Sequence, residues 1–200
     1  MPPESIVRGI LGQARPILVG QVALMAFAVV DTVLTGHASA VDLATMGLGL
    51  SAYSTVFVGL MGATSALNPI AAQHLGGGRN AAIGATYVQG HWMALSLSAL
   101  GVLPLVFSPA WLPWLHAPPE VEARVTTYLR ILAVALPGAL MFRAIYALNT
   151  GISRPHVVMV LQLAGLALKV CLSYAVILGR SGLPAMGALG AATASVVVFW

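Results

Sequence analysis

Charge is the feature that this sequence most conspicuously lacks. Only 7% of its 200 residues are charged, whereas soluble domains contain about 25%. Hydrophobic residues make up 59% of the chain. So few charged groups are typical of an integral membrane protein rather than of a water-soluble domain. The arginines lie near the ends of apolar stretches and form no clustered basic stripe, so nucleic acid is not an expected partner.

Cysteine and lysine each occur once. A single cysteine, Cys171, excludes an internal disulfide and a cysteine metal cluster. The sequence contains no nucleophile elbow, zinc motif or paired-carboxylate site, so we expect neither enzymatic activity nor a cofactor. The only lysine, Lys169, stands in the apolar segment LALKVCLSYAVIL at 166–178. A fixed charge in such a segment is a functional candidate by default.

Long apolar stretches are what the sequence has in abundance. Crossing about 30 Å of hydrocarbon takes about 20 apolar residues in a helix. Five stretches meet this length, and a sixth is still apolar at Trp200. The six stretches lie at 16–36, 44–72, 86–107, 125–152, 155–178 and 186–200. They predict an all-α membrane protein. The sixth stretch is too short to span, so we expect the natural protein to continue beyond Trp200.

Arginines are distributed unequally between the two sides of these predicted spans. Five lie on the side of the N-terminus and two on the other, which predicts a cytoplasmic N-terminus in a multi-pass protein of the inner (plasma) membrane. The sequence HASA at 37–40 also resembles the cleavage site of a signal peptide. The length of the preceding apolar stretch and the presence of Asp31 favour a retained first span.

Two opposite charges lie at similar depths in the predicted spans. Asp31 follows Pro16 by 15 residues, about 22 Å along a helix, and Lys169 follows Pro155 by 14 residues, about 21 Å. Both spans are predicted to run in the same direction. Because an unpaired charge in the bilayer costs roughly 2.5–3.5 kcal/mol, pairing the two is favourable. Such a pair suits proton coupling, although a static ion pair that fixes helix packing is the alternative.

Several segments resemble one transporter family. These are VVDTVLTGH around Asp31, NPIAAQHLGGGR at 68–79, ALPGALMFRAIYALNTGISRP at 135–155 and GLPAMGALGAATASVVVFW at 182–200. In order and spacing they resemble the multidrug and toxic compound extrusion (MATE) family, in its NorM-like branch. The resemblance implies twelve helices in two pseudo-symmetric six-helix lobes, of which this chain would be the N-terminal lobe. A C-terminal lobe, membrane lipid and drug-like molecules are then the expected partners.

The resemblance also assigns candidate site residues. Asp31 matches the aspartate of the family's first helix, which is central to cation coupling. The fifth helix of the family carries two amides, or an amide and a carboxylate, at the positions of Lys169 and Ser173. A hydroxyl of the sixth helix falls on Ser195. The substrate cavity is predicted to include the residues Tyr146, Asn149 and Thr193.

Lys169 departs from the family pattern. A sodium site needs several oxygen ligands, and an ammonium in place of an amide removes one and repels the ion. We therefore expect an antiporter that exports cationic or amphipathic organic compounds by alternating access, coupled to H⁺ rather than Na⁺. A flippase for a lipid-linked sugar or metabolite, in which Lys169 would hold an anionic head group, is one alternative. A membrane scaffold without transport is another.

Overall fold

The computed structural model describes residues 3–177, 179 and 185–200. Within these ranges every regular element is helical, which confirms the all-α class. The α-helices are α1 (Pro3–Ala38), α2 (Ala40–Ser65), α3 (Leu67–Gly76), α4 (Asn80–Val106), α5 (Pro119–Gly151), α6 (Pro155–Ile177) and α7 (Gly187–Phe199). Two short 3-10 helices, Ser108–Ala110 and Leu112–Leu115, connect α4 to α5.

Four helical segments in the described ranges are long and apolar enough to cross a membrane. They are Ala14–Ala38, Ala40–Gly76, Pro119–Gly151 and Pro155–Ile177. The helix α7 is apolar but shorter. The helix α4 is 27 residues long, but Gln89 and His91 make its first half more polar. The predicted span at 86–107 therefore stays a prediction. Residue 178, the predicted end of the fifth span, lies outside the described residues.

The predicted second span is divided into two helices. Within the predicted span 44–72, which contains Pro69, α2 ends at Ser65 and α3 begins at Leu67. Pro69 explains the break, because proline has no N–H to donate to the carbonyl of Ser65 four residues earlier. The helix α1, by contrast, passes through Pro16 and begins before the predicted span. Apolar windows locate the hydrocarbon-crossing part of a helix and miss its polar end turns.

The helix α5 forms the centre of the bundle. It packs against α2, α3, α4 and α7 and supplies much of the buried core, including Leu129, Leu136 and Leu140. Glycines allow two close approaches. A Cβ on Gly138 would overlap the backbone of Phe199, and one on Gly151 would overlap the backbone of Asn68. The helix α1 lies on the outside of the bundle and packs mainly against α6.

One carboxylate joins three helices at the end of the bundle where α2, α5 and α7 begin, which we call the Asp42 end. Asp42 Oδ1 accepts hydrogen bonds from Arg124 Nη1 at 3.0 Å and from the backbone N–H of Ala188 at 3.3 Å. The preceding residue, Gly187, has a φ of +51°. Because a carboxylate is favourable at a helix N-terminus, Asp42 stabilises the start of α7. These two contacts of Asp42 fix α7 relative to α2 and α5.

Candidate ion-pair site

The predicted pairing partners Asp31 and Lys169 are in contact. The Nζ atom of Lys169 on α6 lies 2.9 Å from Oδ2 of Asp31 on α1. Lys169 is 1% exposed, and the side chain of Asp31 is 16% exposed. Both residues lie in the half of the bundle nearer the Asp42 end, since α1 ends at Ala38 and α6 at Ile177. The structure thus places two opposite charges together inside a helical bundle.

The ammonium of Lys169 is fully bonded. An ammonium has three N–H donors. Besides Asp31, they reach the backbone oxygen of Ala191 at 2.8 Å and Oγ of Ser195 at 2.7 Å, both on α7. Ser195 Oγ in turn donates to the Ala191 oxygen at 2.9 Å. Because all three donors have an oxygen partner, the charge of Lys169 is compensated at a position that water hardly reaches.

The second carboxylate oxygen of Asp31 is also occupied. Ser173, one helical turn after Lys169 on α6, donates its hydroxyl to Asp31 Oδ1 at 3.0 Å. Ser173 is 0% exposed. Residues four apart share a helix face, so Lys169 and Ser173 together present a cation and a hydroxyl to the aspartate. Asp31, Lys169, Ser173 and Ser195 therefore form one connected network, which we call the ion-pair site.

Two buried tyrosines lie near the ion-pair site. Tyr128 on α5 is 3% exposed and lies close to Asp31 and to Tyr53. The ring of Tyr128 lies on Gly49 of α2, where a Cβ would overlap it. The hydroxyl of Tyr53 is buried and has no hydrogen-bond partner among the described residues. Sequence reasoning missed both tyrosines. Depth counting along α5 would have placed Tyr128 near Asp31, but no pattern indicated which face it occupied.

The three predicted cavity residues lie away from the ion pair. Thr193 donates to the Gly190 oxygen and lines a separate groove between α5 and α7 with Arg130. Tyr146 and Asn149 lie in about the last two turns of α5, far from the end that carries Arg124. Asn149 donates to a carbonyl of its own helix, and the ring of Tyr146 lies 4.6 Å from the Arg143 guanidinium. The structure does not bring these three residues together with Asp31.

The arrangement indicates a class of protein. A polytopic helical bundle that places a hydrogen-bonded ion pair at bilayer depth is characteristic of transporters, in which intramembrane ionisable groups mark ion or substrate pathways.

The MatE family model matches residues 16–175, so the chain belongs to this family of transporters. Similar curated proteins include the "Probable multidrug resistance protein NorM" of Chromobacterium violaceum, which is 40% identical over 194 residues. "Multidrug resistance protein MdtK" of Yersinia pestis is 31% identical over 194 residues. Each alignment covers 96% of this chain and 42% of the relative.

The fold agrees with solved structures of the family. The Vibrio cholerae MATE transporter VcmN in its bent form superposes with a TM-score of 0.80 at 21% identity, over 98% of this chain and 44% of that one. An outward-facing MATE transporter gives a TM-score of 0.78 at 19% identity, over 96% of this chain and 42% of that one. At these identities the likeness concerns the fold. The chain thus spans less than half the length of its relatives and corresponds to their N-terminal half.

Proposed function

We propose that this chain is the N-terminal lobe of a proton-coupled antiporter that exports cationic or amphipathic organic compounds by alternating access. The observation that carries the proposal is the contact of 2.9 Å between Lys169 Nζ and Asp31 Oδ2 inside the bundle. The names of the related NorM and MdtK proteins, which describe multidrug resistance, support the substrate class.

The geometry of the ion-pair site favours a proton over Na⁺. Both oxygens of Asp31 are occupied, one by Lys169 and the other by Ser173. A sodium ion at this position would need several free oxygen ligands, and it would face the positive charge of the ammonium. Lys169 therefore acts as a built-in cation, and the remaining event that can change the charge of Asp31 is protonation.

Protonation of Asp31 provides a mechanism for coupling. A neutral carboxyl no longer attracts Lys169, so the link between α1 and α6 weakens, whereas the bonds of Lys169 to α7 remain. Since α1 lies outside the bundle and packs mainly against α6, it is the helix best placed to move. We propose that this movement opens the lobe for release of substrate and that loss of the proton restores the pair.

Export by the full-length protein tests this proposal. Purified protein is reconstituted into proteoliposomes, and ethidium transport is followed with either a proton or a sodium gradient. We expect the proton gradient to drive transport without Na⁺, and both Asp31→Asn and Lys169→Asn to reduce it strongly. Ser96→Ala is the matched control, because this exposed hydroxyl bonds only its own helix, at the Trp92 oxygen. Normal export by both site variants would show that the mechanism is wrong.

A second outcome would reject proton coupling specifically. If transport requires Na⁺ and is abolished by Asp31→Asn but not by changes in the other lobe, the sodium ion must bind at Asp31. The flippase alternative has less support, because Lys169 is 1% exposed and all three of its donors are occupied. In this paired state its ammonium is not available to an anionic head group.

A further inference from the structure

A groove runs between α5 and α7 on the surface of the bundle. Both helices begin at the Asp42 end, where Arg124 and the N–H of Ala188 bond the same carboxylate oxygen. Arg130 follows Arg124 by six residues, and Thr193 follows Ala188 by five, so the two lie at similar depths, about 9 and 8 Å along their helices. Both line the groove, which we call the α5–α7 groove.

The lining of the α5–α7 groove changes from polar to apolar along its length. Nearer the Asp42 end it carries Thr127, Arg130 and Thr193. Farther from that end it is aliphatic and includes three valines, Val134, Val196 and Val197. Two of these valines are more than half exposed, so an acyl chain can reach them. This order of polar and apolar groups matches that of headgroup and acyl chain in one leaflet of a bilayer.

Arg130 brings a charge to this groove without an anion to balance it. Its side chain is exposed and has no ion pair or hydrogen bond within the part of the chain that the structure describes. The hydroxyls of Thr127 and Thr193 already donate to carbonyl oxygens of their own helices. The guanidinium therefore supplies the free donors of the groove, and its planar N–H groups suit the oxygens of a phosphate.

The depth of Arg130 brings it to the lipid phosphates. It lies five residues, about 8 Å, from Ala135 at the midpoint of α5. Helical side chains tilt toward the N-terminus of their helix, which for α5 is the Asp42 end. With Ala135 at the bilayer centre, the long side chain carries the guanidinium toward the edge of the hydrocarbon core, about 15 Å from the centre. The anion available at that edge is a lipid phosphate.

We propose that the α5–α7 groove binds an anionic phospholipid, whose phosphate accepts hydrogen bonds from Arg130 and whose acyl chain lies along the three valines. A zwitterionic lipid would bring an ammonium as well, and the described lining includes no carboxylate to receive it. The preceding acidic residue of α5, Glu122, is eight residues away, about 12 Å along the helix. A headgroup with a net negative charge therefore fits the site better.

The groove between α1 and α2 differs in its chemistry. Thr32, Ser51 and Ser54 bring three hydroxyls to its lining. Hydroxyls suit a wet cleft or a contact with other helices, to which they can hydrogen-bond, better than they suit acyl chains. The α5–α7 groove is thus the better lipid site of the two, and the one with a cation.

Photoreactive lipids test this site. Phosphatidylglycerol with a diazirine in one acyl chain is compared with phosphatidylethanolamine that carries the same chain. Each is added over a concentration series to the full-length protein in detergent and irradiated, and the adducts are located by mass spectrometry. We expect saturable adducts of phosphatidylglycerol on peptides that contain Val134 and Val197, and weaker labelling by phosphatidylethanolamine.

Substitutions at Arg130 separate charge from packing. Arg130→Met should raise the half-saturating concentration of phosphatidylglycerol about fivefold, the effect of one arginine on binding to anionic lipid. Arg130→Lys keeps the charge and should raise it less. Val197→Trp fills the groove with a ring and should weaken labelling while Arg130 is intact. Arg154→Met is the matched control, because it removes an exposed arginine from the opposite end of the bundle.

Three results would overturn the proposal. Equal labelling by the two lipids, or an unchanged half-saturating concentration in Arg130→Met, would show that the groove only contacts bulk lipid. Absence of adducts from both peptides would show that the C-terminal lobe covers the groove. Thermal unfolding of each variant in the same detergent shows that a loss of labelling is not a loss of fold.

Lipid binding at Arg130 is independent of the proposed function, because Arg130 takes no part in the ion-pair site. If ethidium transport does not respond to Asp31→Asn while labelling depends on Arg130, the lipid site stands and the coupling mechanism falls. If transport depends on Asp31 but labelling ignores Arg130, the lipid site falls and the function stands.

Discussion

Lys169 is tolerated inside the bundle because each of its three N–H donors meets an oxygen. A buried ion pair as such adds little stability, since removing two charges from water costs about as much as their attraction returns. Breaking the pair is different, because one charge then remains buried without compensation. The arrangement therefore makes each partner dependent on the other, which is the property that a protonation switch requires.

The first prediction concerns this dependence. Asp31→Leu leaves the ammonium of Lys169, 1% exposed, without its anion, and we expect the free energy of unfolding to fall by about 3–5 kcal/mol. Lys169→Met should cost less than this, because Asp31 keeps 16% of its side-chain surface exposed and its bond to Ser173. The double variant should be more stable than the sum of the single effects predicts.

Unfolding of the purified full-length protein in detergent, with Ser96→Ala as control, measures these differences. Strictly additive effects of the two substitutions would contradict the ion pair, because residues that do not interact do not show a coupling energy.

At the scale of elements, the contact of Asp42 with the N–H of Ala188 helps to hold the start of α7. Gly187 precedes Ala188 with a φ of +51°, and a Cβ at Gly187 would stand 2.5 Å from the carboxylate of Asp42. The positive φ lets the chain turn into the helix, and the missing side chain lets the carboxylate reach the N–H of Ala188. Since Ser195 lies on the same helix, this contact also fixes the depth of the ion-pair site.

The second prediction follows from this contact. Gly187→Ala should lower the free energy of unfolding by at least about 1–2 kcal/mol, because the left-handed backbone alone has that cost for a residue with a Cβ. The displaced carboxylate should also release the amide of Ala188, whose hydrogen exchange should become faster. Gly84→Ala is the control, because a Cβ there meets nothing within 4 Å. Unchanged exchange at Ala188 in the Gly187 variant would show that Asp42 does not hold the start of α7.

The orientation of the lobe in the membrane is a property of the whole molecule. The loops at the two ends of the bundle differ in arginine content, and positively charged loops remain on the cytoplasmic side. The Asp42 end, with Ala38 and the 3-10 helices, should therefore face outward. The opposite end, with Gly77 and Arg154, should face the cytoplasm.

The third prediction tests this orientation by labelling single cysteines introduced at the two ends of the bundle. Cys171 is the only cysteine of this sequence, so Cys171→Ser, together with serine in place of any cysteine of the C-terminal lobe, gives a background without thiols. A membrane-impermeant maleimide should label Ala38→Cys in intact cells that express the full-length protein. It should label Gly77→Cys only after the membrane is permeabilised. Both positions are exposed. The reverse pattern of labelling would invert the orientation of the lobe and the direction of the proposed proton movement.

The sequence determined the class, the family and the depth of each charge. Scarcity of charge and six apolar stretches are sufficient for an all-α membrane protein, and a rise of 1.5 Å per residue is sufficient to place Asp31 and Lys169 at a similar depth. The break between α2 and α3 also follows from Pro69, because a proline inside a helix lacks the N–H that would continue it. These features depend only on the order of residues along one helix.

Tertiary structure decided what lies around each helix. The position of a residue along a helix axis does not fix the rotation of that helix about its axis. This rotation depends on how the side chains of neighbouring helices interlock. For this reason the sequence could not show that the Ala191 oxygen and Ser195 complete the bonds of Lys169, or that Tyr128 lies near Asp31. It also could not separate Thr193, Tyr146 and Asn149 from the ion pair. Those contacts join residues from different helices, so packing alone creates them.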